Sequence, residues 1–189
     1  METFETDILN CLEQLRCGGT ILYPTDTIWG IGCDATNAHA VEKILSLKNR
    51  PTTKSFVVLV SDERDILYYT ASPDISIFDF LQQTSKPTTV IYNHALGIAA
   101  NAVASDGSVA IRICRDNFCR HLIRRFGKPV ISTSANLSGC PSPGNFSQID
   151  DRIKKGVDYI VHHRQNETAI ASASAIIKWE NGNARVLRK

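Results

Sequence analysis

The sequence has no apolar run approaching the roughly 18 residues of a membrane span, and it has no Cys-x-x-Cys pair, no Gly-x-Gly-x-x-Gly and no Gly-x-x-x-x-Gly-Lys-Ser/Thr. These absences exclude a spanning helix, the common zinc ribbons and thiol redox motifs, the dinucleotide fingerprint and the phosphate-binding P-loop. Gly-x-Ser-x-Gly is missing as well, so a serine hydrolase built on Ser134 would lack its elbow. The start, Met1-Glu2-Thr3-Phe4-Glu5, lacks the basic and then apolar pattern of a secretion leader, and the expected compartment is the cytoplasm. Six cysteines stand in largely apolar surroundings and read as free thiols of a reducing compartment. His39, His94, His121, His162 and His163 show no zinc-type spacing with them, so no metal ligand is assigned.

What is present is an ordinary globular composition, 43% apolar and 21% charged over 189 residues. With no repeat, linker or low-complexity tract, the expectation is a single domain over residues 1–189. The net charge of +2 is uninformative, but its distribution is not. Arg112, Arg115, Arg120, His121, Arg124, Arg125 and Lys128 share one stretch with Asp116 as its single acid, and Arg152, Lys154, Lys155, Arg164, Arg185, Arg188 and Lys189 follow. Such clustering suits phosphate-bearing partners. It suits equally a solvated helix face with cations near its C-terminal end.

Phe4, Ile8, Cys11, Leu12 and Leu15 recur at helical spacing behind Thr3, and Gly18-Gly19 stops the run. Thr20–Tyr23 reads as a strand ended by Pro24, and Asn37 caps a second helix that Pro51 terminates. Further strands are expected at Phe56–Val60, Thr89–Tyr92, Ser108–Ile113, Pro129–Ser132, Asp158–Val161, Ser174–Trp179 and Ala184–Arg188. The clearest helix between them is Asp116–Phe126, stopped by Gly127. Interleaved strands and helices, with a hairpin around Asn181-Gly182, point to an α/β fold with a twisted mixed sheet.

Four segments carry chemistry. Pro24-Thr25-Asp26-Thr27-Ile28-Trp29-Gly30-Ile31-Gly32 puts hydroxyls, a carboxylate and glycines where a strand ends, the usual ligand position in α/β sheets. Lys48-Asn49-Arg50-Pro51-Thr52-Thr53-Lys54 sets three cations in seven residues, with Arg50 and Lys54 placed to reach a polyphosphate. Arg112 interrupts the apolar strand Val109–Ile113 and needs an anion, which either a structural carboxylate or a substrate carboxylate would supply. Lys128–Gly139 runs from a short strand into Ser132-Thr133-Ser134-Ala135-Asn136-Leu137-Ser138-Gly139, rich in small donors suited to an anionic ligand.

In order and approximate spacing these segments, with Pro141-Ser142-Pro143, resemble the YrdC/TsaC family of threonylcarbamoyl-AMP synthases over nearly the whole chain, in its shorter, single-domain form. The resemblance implies a YrdC-like fold and formation of L-threonylcarbamoyl-adenylate and pyrophosphate from L-threonine, bicarbonate or CO2, and ATP. The product would serve threonylcarbamoyladenosine formation beside the tRNA anticodon by downstream threonylcarbamoyl transferase proteins. Matched by position, Thr27, Arg112, Ser132 and Ser174 would contact threonine. Arg50, Lys54, Ser108, Ser134, Asn136, Ser142 and Arg188 would serve the ATP, Asn136 by shaping its loop. Lys48 and Arg50 would be the catalytic cations, and Mg2+ would ride on the phosphates. Departures from the family pattern are Trp29 for tyrosine, Ser55-Phe56 for Pro-Leu, Ala175 for threonine, Leu59 where some members carry a histidine that touches threonine, and Lys189 where Pro-Gly is usual.

With no paired nucleophile or carboxylate cluster, catalysis would rest on positioning and charge stabilisation. Binding to tRNA or double-stranded RNA by the basic segments, without synthase activity, is the alternative of another class. A carbamoyl-adenylate former of the hydrogenase-maturation type would need acylphosphatase and zinc-finger parts that neither the length nor the cysteine spacing allows.

Overall fold

The computed structural model describes residues 4–50, 56–180 and 182–189. Helices α1 (Glu5–Arg16), α2 (Ala38–Lys48), α3 (Glu63–Tyr69), α4 (Ser76–Gln83), α5 (Asn117–Phe126) and α6 (Asp151–Gly156) alternate with strands β1 (Ile21–Tyr23), β2 (Gly30–Gly32), β3 (Val57–Val60), β4 (Thr88–Tyr92), β5 (Val109–Ile113), β6 (Val130–Ser134), β7 (Tyr159–Ile160), β8 (Ala175–Glu180) and β9 (Asn183–Arg188). The strands form one sheet in the order β7-β1-β2-β6-β3-β5-β4-β8-β9. It is mixed: β1/β7, β3/β5 and β4/β8 run parallel and the remaining neighbours antiparallel.

Local chemistry sets the element ends. The Asn37 carboxamide oxygen accepts from the His39 and Ala40 amides at 3.0 and 3.2 Å, satisfying two of the orphan donors of α2. Asp116 caps α5 through the Cys119 amide at 2.9 Å, and Gly127 closes the helix at φ +75°, where a side chain would be strained. Phe118, Leu122 and Ile123 form the buried stripe of α5, and α3 and α5 both pack against β3.

Registers give the sheet a chemically divided surface. Paired residues share a face and successive residues alternate. The pairs Gly30–Ser134, Val57–Ser132, Val57–Ala110, Leu59–Arg112, Ile91–Ala110, Thr89–Ile176 and Ile176–Arg188 therefore place Gly30, Ser132, Ser134, Val57, Arg112, Ile176 and Arg188 on one face. The opposite face presents Val58, Val90, Ile111, Ile131 and Ile177, all buried.

Several expectations need correction. The Pro24–Gly32 segment, expected as a ligand loop, is a loop only as far as Trp29; Gly30–Gly32 is strand β2, pairing with β1 and β6. Two glycines around one isoleucine carry no strand pattern, yet they are what the packing requires: a Cβ on Gly32 would stand 2.6 Å from both the Ile131 carbonyl oxygen and Tyr23 Cε1. Gly32→Ala is expected to destabilise the fold by about 1–3 kcal/mol or more, because the contact is with backbone and a buried ring that have nowhere to move. Thermal unfolding would show it as a Tm lowered by several degrees. Strand β6 continues to Ser134 instead of stopping at Ser132. Thr3 lies outside the described residues, and Phe4 at the α1 N-cap makes no side-chain cap bond. The hairpin between β8 and β9 is present, with Gly182 at φ +74° and Asn181 outside the described residues. All six cysteines are free, but Cys17 and Cys140 are exposed and not packed.

Candidate active site

The polar face of the sheet opens into a cleft of about 210 Å³ lined by Thr27, Ile28, Trp29, Gly30, Arg50, Val57, Arg112, Ser132, Thr133, Ser134, Ser142, Ala173, Ser174, Ile176 and Arg188. Eight residues matched from the sequence meet here: Thr27, Arg50, Arg112, Ser132, Ser134, Ser142, Ser174 and Arg188. Among the described residues the lining holds arginines and hydroxyls and no carboxylate.

Arg112 forms the cleft's charged floor, its side chain only 5% exposed. The sequence left its anion open, and the structure supplies one: Asp26 Oδ1 lies 3.1 Å from Nη2. The contact is an ion pair off the hydrogen-bonding line, so neither Nε nor Nη2 of Arg112 makes a hydrogen bond among the described residues. Asp26 Oδ2 accepts from the Arg115 amide at 3.3 Å, which ties the Thr25–Thr27 loop to the exit of β5.

Arg50 is aimed by the end of α2. Asn49 adopts the left-handed conformation at φ 49°, its amide returning to the Ser46 carbonyl at 3.2 Å while the Arg50 amide returns to Leu45 at 2.9 Å. This Schellman arrangement turns the chain sharply after Lys48. The Arg50 guanidinium then lies 4.8 Å from the Phe56 ring centroid, and burial lowers its pKa.

Arg188 closes the other side. Its Nε and Nη2 donate to the Ser174 carbonyl at 3.1 and 2.9 Å, and burial followed by the Arg112 charge lowers its pKa. The Ser174 hydroxyl meets Thr89 Oγ1 at 2.8 Å beneath the cleft. Trp29 provides an aromatic wall backed by Phe146, with ring centroids 4.8 Å apart.

Lys48, matched as a catalytic cation, is instead 1% exposed and absent from the lining. Its ammonium donates to the Ser134 and Asn136 carbonyls, and its own carbonyl accepts from the Ser138 amide at 2.9 Å. Asn136 is likewise outside the lining; its amide group donates to the Leu137 and Cys140 carbonyls at 3.0 and 2.6 Å and so holds the loop. Ser108 stands before β5, outside the cleft. Lys54 lies outside the described residues.

Burial first, and the Arg50 charge second, bring the Lys48 pKa down from the lysine range to about 7. The unfolded chain therefore binds this proton more tightly than the folded one, and stability rises with pH from about 7 toward the unfolded value of roughly 10.4. Lys48→Met is expected to flatten that rise, so the stability lost on substitution is larger at pH 9 than at pH 6. Paired thermal melts across that range would check it, and a pH-independent difference would contradict it.

In the sequence Thr25 stands out only as one hydroxyl of its loop and Thr89 only as the start of a strand, yet they support Thr27 and Ser174 from below, and Asp26 shows no sign there of its link to Arg112. The usable signal was the buried arginine itself, which demanded a carboxylate from a neighbouring loop.

Fold and cleft together define an α/β protein built around a cationic, hydroxyl-rich pocket. A family model for the Sua5, YciO and YrdC proteins, described as telomere recombination, matches residues 13–189, and the chain belongs to that family. The threonylcarbamoyl-AMP synthase of Idiomarina loihiensis is 32% identical over 146 residues, covering 76% of this chain and 78% of its own. That of Photobacterium profundum is 30% identical over 171 residues, covering 86% and 91%. Among solved structures, P. abyssi Sua5 complexed with L-threonine superposes with a TM-score of 0.83 at 20% identity, covering 97% of this chain, which spans only 54% of that Sua5. E. coli YciO superposes with a TM-score of 0.79 at 22% identity, covering 98% and 89%.

Proposed function

We propose that this chain is a threonylcarbamoyl-AMP synthase, acting as one domain in the cytoplasm and joining L-threonine, CO2 or bicarbonate, and ATP into L-threonylcarbamoyl-adenylate with release of pyrophosphate. The observation that carries the reading is Arg112, a nearly buried guanidinium paired with Asp26 whose Nε and Nη2 make no hydrogen bond among the described residues, at the floor of a cleft that also presents Arg50 and Arg188. Relatives at 30–32% identity bearing the synthase name support it.

In this reading Arg112 takes the carboxylate of threonine, with Thr27, Ser132 and Ser174 around the amino acid. Arg50, Ser134, Ser142 and Arg188 receive the triphosphate and adenylate side. The amine takes up CO2, and the carbamate oxygen attacks the α-phosphorus in line with departing pyrophosphate. Fixed cations spread over the phosphoryl oxygens supply the rate enhancement. The cleft offers Mg2+ no carboxylate, and no group of three His, Cys, Asp or Glu is placed to bind a metal among the described residues, so the ion would be held by the phosphates and water. Lys48 and Asn136 would act as positioning residues for the Ser134–Ser138 loop. The product would pass to proteins that modify tRNA beside the anticodon.

RNA binding stands as a second reading. The basic face of α5 favours it, although Arg124 and Arg125 of that face pair with Asp62 and Glu5 at 4.0 and 2.6 Å. Purified protein incubated with ATP, Mg2+ and bicarbonate should release pyrophosphate only when L-threonine is added, with the adenylate detectable by mass. Folded protein that gives neither would reject the synthase reading.

A further inference from the structure

Thr25 is 1% exposed and does not line the cleft, yet it sets the chemistry of a residue that does. Its hydroxyl has one hydrogen and two lone pairs. The Ile28 carbonyl oxygen lies 2.9 Å from Thr25 Oγ1 and can only accept, so the Thr25 hydrogen is committed there. The Thr27 amide donates to Thr25 Oγ1 at 3.0 Å, which occupies one lone pair. Thr27 Oγ1 lies 2.9 Å from the same oxygen, and with the Thr25 hydrogen already placed, Thr27 must be the donor in that pair. Every position on the Thr25 hydroxyl is then filled, and the Thr27 hydrogen points away from the cleft. What Thr27 shows a ligand is lone pairs alone.

We propose that Thr25 is a specificity-determining positioning residue: by drawing the Thr27 hydrogen inward it makes Thr27 an obligate acceptor, so that the cleft selects an amino acid through the N–H groups of its α-amine. This deepens the amino-acid reading of the cleft and rests on it. The neighbouring groups fit the division of labour. Arg112 is a donor without an accepting atom and suits the carboxylate; Thr27 is an acceptor without a hydrogen to offer and suits the amine. A carboxylate oxygen against Thr27 would meet lone pair with lone pair. An amine held by its N–H there also has its orientation fixed relative to the carboxylate, which a nucleophile about to take up CO2 requires.

Isothermal titration with L-threonine and with 3-hydroxybutyrate, which keeps the carboxylate and the hydroxyl but lacks the amine, tests this. The unsubstituted protein should bind threonine at least about tenfold more tightly than 3-hydroxybutyrate, the scale of one good hydrogen bond. Thr25→Val, nearly isosteric but without the hydroxyl, should weaken threonine by about tenfold and leave 3-hydroxybutyrate within about twofold, and Thr25→Ser should restore the preference. Thr25→Val that weakens both ligands equally, or neither, would overturn the proposal while leaving the amino-acid reading intact. Equal affinity of the unsubstituted protein for the two ligands would overturn it even if Thr25→Val did not fold. Failure of the unsubstituted protein to bind threonine at all would remove the amino-acid reading and the proposal together.

Discussion

Arg112→Ala is expected to lower kcat/KM for threonine on the order of a thousandfold, with most of the loss in threonine affinity. Two effects combine. A guanidinium facing a carboxylate makes charged hydrogen bonds of about 1.5–3 kcal/mol each, and alanine removes all of them. The substitution also leaves Asp26 without its ion-pair partner. The paired side chains are 5% and 11% exposed, and deleting one member of so buried a pair costs about 3–5 kcal/mol of stability. Adding Asp26→Asn should recover much of the stability and none of the activity, which separates substrate binding from folding. Arg112→Lys should rescue poorly, since a point charge on a flexible stem cannot reproduce the fork. Steady-state kinetics with threonine varied at saturating ATP, beside thermal melts of the same variants, would decide. A threonine KM within about twofold of the parent's in Arg112→Ala would refute the carboxylate assignment.

The second large effect is expected at Arg50. Arg50→Ala should cost about a hundredfold or more in rate, the scale for losing one preorganised charge donor at a phosphoryl centre. The pattern should differ from that of Arg112: ATP dependence and kcat suffer, while threonine binding in the absence of ATP stays close to normal. The structural reason is the sharp turn at Asn49, which fixes where the chain leaves α2 and sets the guanidinium against Phe56 at 4.8 Å. Little flexibility is left to be frozen on binding, so the charge is already in place when the phosphates arrive. Pyrophosphate release at parental rate from Arg50→Ala would dismiss its assignment to the triphosphate.

Much of the α/β framework was legible because its elements are punctuated strongly. Asn37 and Asp116 cap α2 and α5, Gly127 ends α5, and Gly182 turns the last hairpin, each by chemistry local to a few residues. β2 was not legible. A Gly-Ile-Gly strand is specified by the closeness of Tyr23 and the Ile131 carbonyl, neither of which is a sequence neighbour. The short helices α3, α4 and α6 were likewise unnamed, for they run only 6 to 8 residues and offer little periodicity to read.

The candidate site divided in the same way. Residues that touch the cleft were visible as motifs, because a strand that ends in hydroxyls, or holds an arginine among isoleucines, violates its own local pattern. Residues that work from behind were misjudged or missed. Lys48 looked like a phosphate ligand because it stands beside Arg50 in sequence, but its position in α2 turns it beneath the Ser134–Ser138 loop. Thr25 and Thr89 resembled ordinary strand and turn residues; only the three-dimensional accounting of hydrogens reveals that each serves a neighbour.

The cations that line the cleft do not share one mechanical footing. Arg112 is on β5 at the centre of the sheet, whereas Arg188 is on β9, the outermost strand, paired on one side only and largely exposed. Edge strands open by local fluctuation at a small fraction of the global unfolding free energy. Arg112 therefore stands in the firm interior of the sheet and Arg188 on its loosest margin, while Arg50 and Ser134 are held at the end of α2 and on β6. A substrate held by both arginines, as proposed above, would tie the last strand to the middle of the sheet, so that its binding and the ordering of β9 would be linked.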